Sequence, residues 1–409
     1  MTEGGWRRHQ QGVLFLHAAD IHLDSPLRGL ARYPGLPAER LRLATREAFA
    51  NLIDLAIGER VDLVVLAGDL YDGEWPDVHT GLTFVAAMTR LAQAGIAAVI
   101  VQGNHDAAAK ITRALPLPPG VHVLPSDRPA TVLIGEHYAC HGQSYAVEAT
   151  VENLAQGYPA PVPGRINIGV LHTALSGRAD GHMPYAPCTT QDLMRLGYEY
   201  WALGHVHRRQ VVESDPPIVY PGNLQGRHAR ETGAKGAMLV RVIDGRCVPE
   251  FRALDVIRWE RVEIAARDCP NPDGLRTRLV AAVDALVGAA EGRFLVVRAV
   301  VQGADPALAA YLGGEGLDDL RAAVLAIGGV ALEKVEVVEA AAIEAEAGDA
   351  SALAALLHGA DPAEEVFADV RRLLEVLPDA LKDDPAFAPE ALLRTAEAVA
   401  LAHLSDTST

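Results

Sequence analysis

The stretch LVVLAGDLYD, at residues 63–72, decides the fold of this chain. Its first five residues are apolar and include two valines, which is typical of a strand buried on both faces. Gly68, Asp69 and Asp72 follow at once, so polar side chains begin where the predicted strand ends. The glycine allows a sharp backbone turn at that point. The stretch therefore predicts a central strand with candidate functional side chains at its carboxyl end.

Five apolar runs share this pattern and alternate with segments of helical character. The predicted strands are Val13–Ala19, Asp62–Ala67, Ala97–Val101, Ile166–Leu171 and Tyr200–Leu203. The predicted helices are Ala38–Ile57, Val78–Ala94 and Thr190–Leu196, with Thr189 as an N-cap and Gly95 and Gly197 as stops. Strands that alternate with helices indicate a layered α/β domain.

Residue types that bind metal ions follow every one of these five runs. They are Asp20, His22, Asp69, Asn104, His105, Asp106, His172, His205 and His207. Ligands of open α/β sheets bind beyond the carboxyl ends of the strands, so we expect one sheet to gather these side chains at a single edge. Carboxylate, amide and imidazole groups without thiolates favour Mn²⁺, Fe²⁺, Zn²⁺ or Mg²⁺. A carboxylate such as Asp69 can bridge two ions that together clamp a phosphate.

The composition excludes several classes of protein. The 409 residues are 50% apolar and 22% charged, which argues against disorder, and no stretch has about 20 unbroken apolar residues, which predicts no membrane span. The N-terminus lacks the apolar core of a signal peptide, and the four cysteines form no CxxC pair, so we expect a cytoplasmic protein. The net charge of −17 disfavours a protein that binds nucleic acid through a basic surface alone. It does not exclude a nuclease, because bound cations change the charge at the site itself.

Three domains are predicted, at residues 1–255, 256–340 and 341–409. The second shows a β-α-β-α-β pattern that indicates a small α+β domain. Its elements are predicted at Ile257–Ile264, Asp273–Gly288, Phe294–Gln302, Leu317–Ala326 and Val330–Val338. The third holds 14 acidic against 4 basic residues and is predicted to form short helices. Those helices either pack back onto the second domain or dock to a partner.

The polar blocks resemble those of the calcineurin-like metallophosphoesterase superfamily, D-x-H, G-D-x-x-D, G-N-H-D, H and G-H-x-H. Here they read Asp20-Ile21-His22, Gly68-Asp69-Leu70-Tyr71-Asp72, Gly103-Asn104-His105-Asp106, His172 and Gly204-His205-Val206-His207. The flanking segments HAADIHLDSPL, HTALSG, YEYWALGHVH and YPGNLQGRHARETGAKG look like YhaO-like, SbcD-type DNA-repair exonuclease subunits. The resemblance covers about residues 13–255, and 256–340 falls where such proteins carry a capping domain.

The resemblance implies a layered α/β metallophosphoesterase sandwich with a small α+β capping domain and a helical C-terminal segment. It implies one ion held by Asp20, His22, Asp69 and His207, and a second held by Asp69, Asn104, His172 and His205. It makes His105 the general acid or the stabiliser of the transition state, with Asp106 steadying it. It further implies Mn²⁺-dependent phosphodiester hydrolysis on DNA, a homodimer with no membrane attachment, and an SMC-like ATPase partner of SbcC type.

Alternatives remain open at the level of sequence. A stand-alone metallophosphoesterase acting on small phosphodiesters such as cyclic nucleotides fits the acidic composition, and a scaffold that has lost activity would keep the same fold. Asp24 and Asp72 either support the metal ligands or cap local turns. Four arginines near the last block either touch phosphates or balance nearby acids; they are Arg208, Arg209, Arg227 and Arg230.

Overall fold

A computed structural model describes residues 13–25, 38–72, 78–108, 116–175, 185–269, 271–304 and 306–339. The predicted acidic segment at 341–409 lies outside the described residues. Within the described parts of the chain, none of the helices combines the length and the apolar character that crossing a membrane requires.

The described residues form fifteen β-strands and seven α-helices. The strands are β1 (Leu14–Ala18), β2 (Leu63–Ala67), β3 (Ala97–Val101), β4 (Val121–Val123), β5 (Ala130–Ile134), β6 (Tyr138–Gly142), β7 (Ile166–His172), β8 (Tyr200–Gly204), β9 (Gln210–Ser214), β10 (Pro217–Tyr220), β11 (Gly236–Ile243), β12 (Arg246–Ala253), β13 (Ile257–Ala265), β14 (Phe294–Ala304) and β15 (Val330–Glu339). The helices are α1 (Ala38–Glu59), α2 (Val78–Gln93), α3 (Asn104–Ala108), α4 (Thr190–Met194), α5 (Pro272–Ala289), α6 (Pro306–Leu312) and α7 (Glu315–Leu325).

Two six-stranded sheets form the larger part of the fold. Their strand orders are β12-β11-β1-β2-β3-β4 and β5-β6-β7-β8-β10-β9. Parallel pairing joins β1 to β2 and β2 to β3 in the first sheet, and β6 to β7 and β7 to β8 in the second. The predicted α/β class is therefore confirmed. The expectation that one sheet carries all five strands is wrong, because β1, β2 and β3 belong to one sheet and β7 and β8 to the other.

Apolar contacts hold the two sheets face to face. One buried cluster contains Phe15 and Val65 from the first sheet and Ile168 and Tyr200 from the second. The rings of Phe15 and Tyr200 meet edge to face, with centroids 5.2 Å apart. Since helices α1 and α2 cover the outer face of the first sheet, its central strands are buried on both faces. This double burial is the reason that their sequences are unbroken apolar runs.

The predicted central elements agree with the structure. Strand β3 has the predicted bounds, and α4 starts after Thr189, whose side chain accepts from the backbone N–H of Asp192 in a capping box. Gly95 and Gly197, the predicted stops, have φ of +74° and +69°. The sequence predicts no strand for β6, β10 or β11, although they are mostly buried, nor for the four edge strands of the two large sheets. Those strands, β4, β5, β9 and β12, are largely half-buried or exposed and so lack a continuous apolar run.

The region after residue 256 contains a third sheet with strand order β13-β14-β15. Its elements follow the predicted β-α-β-α-β order, with α6 as an additional short helix. The chain divides into two compact units. Among the described residues, one unit comprises 13–262, 276–299 and 318–335, and the other comprises 263–275, 300–317 and 336–339. The domain boundaries near 255 and 340 stay a prediction.

A buried histidine in β1 makes the stability of the protein depend on pH. His17 is fully buried, with Nδ1 3.0 Å from the Tyr200 hydroxyl and Nε2 3.2 Å from the Leu203 carbonyl oxygen. Burial lowers the pKa of His17 to about 3. Between that value and the ordinary histidine pKa of about 6.5, only the unfolded chain binds this proton. His17 therefore leaves the free energy of unfolding unchanged above about pH 6.5. As the pH falls from there to about 3, protonation of the unfolded chain lowers that free energy progressively.

We expect His17→Gln, which keeps hydrogen-bonding groups but cannot titrate, to reduce this pH dependence. The slope of the unfolding free energy between about pH 5.5 and pH 4.5 should fall by about 1.4 kcal/mol per pH unit, the value for one proton. Urea unfolding at several pH values measures the slope. The exposed His137→Gln serves as the control, and an unchanged slope in His17→Gln would contradict the assignment.

Candidate metal centre

The carboxyl ends of five strands bring the predicted ligands together at the seam between the two large sheets. Asp20 and His22 follow β1, Asp69 follows β2, and His172 ends β7. The loops of the first sheet are joined to each other, because the N–H groups of Asp20 and His22 donate to the carbonyls of Gly68 and Asp69, both at 3.0 Å. The N–H of His205, after β8 of the second sheet, donates to both carboxylate oxygens of Asp20 at 3.1 Å.

Four of the seven predicted ligands have left-handed backbone conformations. They are Asp20 (φ 50°), His22 (φ 45°), Asp69 (φ 51°) and His205 (φ 100°). Such a conformation costs a residue other than glycine about 1–3 kcal/mol and is found preferentially at functional sites. The loops are therefore held in strained shapes that turn these side chains toward one another.

One group of possible ligands consists of Asp20, His22 and His207. The Nε2 atoms of His22 and His207 lie 3.2 Å apart, and His207 Nε2 lies 3.9 Å from Asp20 Oδ1. Two imidazoles whose Nε2 atoms face each other in this way either share one hydrogen or direct both lone pairs at a common cation. With the Asp20 carboxylate beside them, the three side chains fit a divalent cation.

A second group consists of Asp20, Asp69 and His172. His172 Nδ1 donates to the Ala67 carbonyl oxygen at 2.9 Å, since a carbonyl can only accept. Its Nε2 is therefore turned toward Asn104 Oδ1 at 3.1 Å and Asp69 Oδ2 at 3.4 Å. The same Asp69 oxygen lies 3.9 Å from His22 Nε2, so this carboxylate stands between the two groups. The predicted bridging role of Asp69 fits this position and stays a prediction.

His205 lies beside the second group. Its side chain is almost fully enclosed, and its ring centroid is 5.2 Å from that of His172. The structure thus brings all seven predicted ligands into one cluster: Asp20, His22, Asp69, Asn104, His172, His205 and His207.

Burial and mutual charge set the protonation of the cluster. Burial first, and then the nearby Arg227, lower the pKa of His22 to about 3, which leaves this imidazole neutral. Burial alone would raise the pKa of Asp69, but His172 first and then His22 and His105 hold it below its ordinary range. Burial would lower the pKa of His172, and the Asp69 carboxylate outweighs this and raises it to about 9. Neutral imidazole and ionised carboxylate are the forms that bind metal ions, so an ion bound by His172 would displace the proton that Asp69 favours there.

Two glycines of the quoted blocks leave room for the ligands. A side chain at Gly103 would overlap the Asp69 carboxylate, and one at Gly204 would overlap the Ala67 carbonyl oxygen that orients His172. Only glycine fits at positions 103 and 204, because any larger residue would collide with these groups.

The donor set fits a pair of divalent cations. Asp20 and Asp69 are 1% and 2% exposed, and carboxylates buried this deeply are normally paired with cations or coordinate metals. Their neighbours supply imidazole nitrogens and an amide oxygen, a set suited to Mn²⁺, Fe²⁺, Zn²⁺ or Mg²⁺. The arrangement can therefore bind a phosphate between two ions.

His105 is the histidine of the cluster that opens to solvent. Its backbone N–H donates to Asp69 Oδ1 at 3.0 Å, while its side chain is 40% exposed. Its ring centroid lies 5.0 Å from that of His22. The position suits a group that meets a substrate arriving from solvent.

Asp106, predicted to steady His105, interacts with the backbone instead. Its Oδ1 accepts from the N–H groups of Leu70 and Tyr71 at 2.9 and 3.0 Å, and its Oδ2 accepts from Gly103 at 2.9 Å. Burial, and then the charge of Asp69, raises the pKa of Asp106 to about 7. Its carboxyl thus fixes two ligand-bearing loops against each other.

The carboxylate beside the His105 ring belongs to Asp72. Asp72 Oδ1 lies 3.4 Å from Nδ1 of His105, Nδ1 of His22 and Nη1 of Arg227. Of the two readings that the sequence left open for Asp72, the structure favours support of the site over local capping. Arg227, one of the four arginines, balances acids here: it faces Asp72 and also Glu231, at 3.8 Å.

Sequence reasoning missed Glu231. Its Oε1 lies 2.7 Å from His207 Nδ1, and the residue is 6% exposed. It stands outside every quoted block and at no ligand spacing. The one signal available was an acidic residue within an otherwise basic run, RHARETGAK, in a segment shared with the resembling proteins.

The sequence is similar to those of known phosphoesterases. The sequence model for calcineurin-like phosphoesterases matches residues 13–209, and that for the middle domain of metallophosphoesterase YhaO matches 259–340. An uncharacterised metallophosphoesterase, YhaO of Bacillus subtilis, is 36% identical over 299 residues, which are 72% of this chain and 72% of that protein.

Two DNA-processing proteins are more distant relatives. The DNA double-strand break repair protein Mre11 of Sulfurisphaera tokodaii is 28% identical over 210 residues, 47% of this chain and 52% of that protein. The SbcD component of the nuclease SbcCD of Bacillus subtilis is 24% identical over 269 residues, 56% of this chain and 66% of that protein.

We expect the protein to bind two divalent ions, and Asp69→Ala to lose more metal than either His207→Ala or His172→Ala. The reason is that Asp69 stands between the two groups, whereas each histidine belongs to one. Mass spectrometry of metal retained after dialysis from Mn²⁺ measures this, with circular dichroism to check folding. The control is Asp54→Ala, an exposed carboxylate paired with Arg90. Full metal content in Asp69→Ala would show that Asp69 does not bridge two ions.

Proposed function

This chain belongs to the calcineurin-like metallophosphoesterase family, and from that premise we propose that it is a two-metal phosphodiesterase that cleaves DNA as the nuclease subunit of a double-strand-break-repair complex. The family consists of metal-dependent hydrolases with a dinuclear site. Within that general activity, the bonds that we propose this protein cleaves are the phosphodiester bonds of DNA, and the assembly is a nuclease–ATPase complex.

One observation carries the proposal. A buried cluster of carboxylates and imidazoles, with His22 and His207 Nε2 atoms 3.2 Å apart, lies next to a histidine that is 40% exposed. Buried ligands suit metal ions, and an exposed imidazole suits proton transfer to a substrate. Metal-binding groups and a proton-transfer group thus lie side by side, as hydrolysis of a phosphodiester requires.

We assign the ligands as two sets that share Asp69. The first ion would be held by Asp20, His22, Asp69 and His207. The second would be held by Asp69, Asn104, His172 and His205. When bound, two such ions clamp the phosphate, lower the pKa of bound water and stabilise the departing oxygen. Mn²⁺ is the favoured ion, with Mg²⁺, Fe²⁺ and Zn²⁺ as alternatives.

His105 is assigned as the general acid or as the group that stabilises charge on the phosphate. Its imidazole is exposed on the solvent side, and the Asp72 carboxylate, 3.4 Å from its Nδ1, orients the ring. Asp106 acts indirectly, because it holds the backbone at Gly103 and Leu70 through hydrogen bonds.

The proposal that DNA is the substrate is supported by the two nuclease and repair relatives and by exposed arginines near the site. The net charge of −17 argues against a general basic surface, so contacts with phosphates must be local. Arg208 and Arg230, close in sequence to His207 and Glu231, are exposed and can therefore meet a phosphate backbone. We assign them this role, whereas Arg209 stacks over the Phe251 ring, 3.9 Å from its centroid.

The assembly is proposed by analogy with the same relatives. The protein would form a homodimer, work in the cytoplasm and pair with an SMC-like ATPase of SbcC type. The acidic helices predicted at 341–409 are the segment proposed to dock to that ATPase, and they lie outside the described residues.

Activity on three substrates separates the candidates. With Mn²⁺ present, we expect the protein to hydrolyse linear duplex DNA or single-stranded DNA as well as bis-p-nitrophenyl phosphate. Cleavage of the small diester alone would favour the stand-alone phosphodiesterase that the acidic composition suggested. No hydrolysis of any of the three by metal-loaded protein would favour the inactive scaffold.

His105→Ala tests the assignment of the acid. We expect a loss of about 10²-fold or more in kcat, in line with removal of a general acid or base, while both ions are retained. Steady-state hydrolysis and metal analysis on the same preparations give the two quantities. The exposed His137→Ala is the control. Loss of an ion in His105→Ala would make His105 a ligand instead.

A further inference from the structure

Glu231 lies in the segment between β10 and β11 and is buried beside the metal cluster. Its carboxylate accepts from three groups. Oε1 accepts from His207 Nδ1 at 2.7 Å, and Oε2 accepts from the backbone N–H of Arg227 at 2.7 Å and from Asn223 Nδ2 at 3.0 Å. Both oxygens are thus occupied by donors, and one of those donors is the ring of a predicted metal ligand.

The contact with His207 decides which ring nitrogen carries hydrogen. An ionised carboxylate can only accept, so His207 Nδ1 must donate, and Nε2 is the ring nitrogen left to offer a lone pair to a cation. That same Nε2 is the atom that faces His22 Nε2 at 3.2 Å and Asp20 Oδ1 at 3.9 Å. Glu231 therefore fixes the tautomer in which His207 can bind a cation at the cluster.

The Glu231 carboxylate is itself held in place. Its backbone N–H donates to the His228 carbonyl at 2.9 Å, which closes a tight turn. Upstream in the same segment, Gln225 Nε2 donates to the Ile257 carbonyl at 2.6 Å, and Trp259 Nε1 donates to the Gly226 carbonyl at 3.0 Å. The segment is thus pinned to the first residues of β13, so the carboxylate presents a fixed partner to His207.

We infer that Glu231 is a positioning residue, which locks His207 in its Nδ1–H form and so raises the affinity of the ion held by Asp20, His22 and His207. This inference rests on the proposed two-ion site. It adds to that site a residue from outside the metal-binding blocks. Hydrogen-bonded carboxylates behind a metal-binding histidine typically change metal affinity by about 10–100-fold.

Glu231→Gln is the informative change because an amide cannot replace the carboxylate here. If the amide oxygen faces His207, the NH₂ group is forced against the donors Arg227 N–H and Asn223 Nδ2. If the NH₂ group faces His207, it donates to Nδ1 and moves the ring hydrogen to Nε2, toward His22. Either orientation weakens the first ion and leaves the contacts of His172 unchanged.

The experiment titrates metal-free protein with Mn²⁺ by calorimetry. We expect Glu231→Gln to lose about 10–100-fold in affinity for one ion and to keep the other. The matched control is Glu199→Gln, since the Glu199 carboxylate also accepts from a backbone N–H and an asparagine amide, both of Asn167, at 2.6 and 3.1 Å. Glu199→Gln should bind both ions as the unmodified protein does. Equal affinities in Glu231→Gln and the unmodified protein would overturn the inference.

A second measurement needs no variant and does not depend on folding of Glu231→Gln. Nitrogen-15 NMR of the unmodified metal-free protein, at a pH well above the ordinary histidine pKa of about 6.5, reports the tautomer of each histidine. We expect His207 in the Nδ1–H form, and an Nε2–H form would overturn the inference. His207→Ala separates a failure of the proposed metal site from a failure of the role of Glu231. If His207→Ala loses no ion, the proposed site is wrong. If His207→Ala loses an ion but Glu231→Gln does not, only the role of Glu231 is wrong.

Discussion

Two buried carboxylates, Asp20 and Asp69, are the constraint on which the site depends. A carboxylate removed from water is tolerated only where cations or hydrogen-bond donors surround it. Here the donors are the backbone N–H groups of His205 and His105, and the neighbouring imidazole of His172 adds charge. Because these groups come from strands of both large sheets, the need to satisfy the two carboxylates joins the sheets at their common edge.

The strained backbone at this edge has the same origin. Asp20, His22, Asp69 and His205 adopt positive φ values that cost about 1–3 kcal/mol each in ordinary loops. Buried cores on both sides of the first sheet supply the stability that offsets this cost. The packed sandwich therefore fixes the positions of the candidate ligands, and fixed side chains hold a binding geometry more precisely than side chains on a loop.

The residues that support the ligands come from different parts of the chain. Asp106 lies within a metal-binding block but acts on backbone N–H groups, whereas Asp72 stands beside both His22 and His105. Glu231 lies outside the blocks and reaches His207 from a segment pinned to β13. The arrangement and the charge of the candidate metal centre therefore depend on the loop that follows β10 as well as on the ends of the five strands.

The amino-acid sequence determined five strands of the two large sheets, three of the helices and the clustering of the seven candidate ligands, because full burial leaves unbroken apolar runs and strand ends place polar residues locally. The edge strands escaped prediction, since half-exposed residues carry no such run, and the mostly buried β6, β10 and β11 escaped it as well. Only the tertiary structure decided that the strands divide between two sheets, that Asp106 bonds to backbone and that Glu231 meets His207 across 24 positions of sequence. Those partnerships depend on which surfaces pack together, and no local pattern of residues encodes that choice.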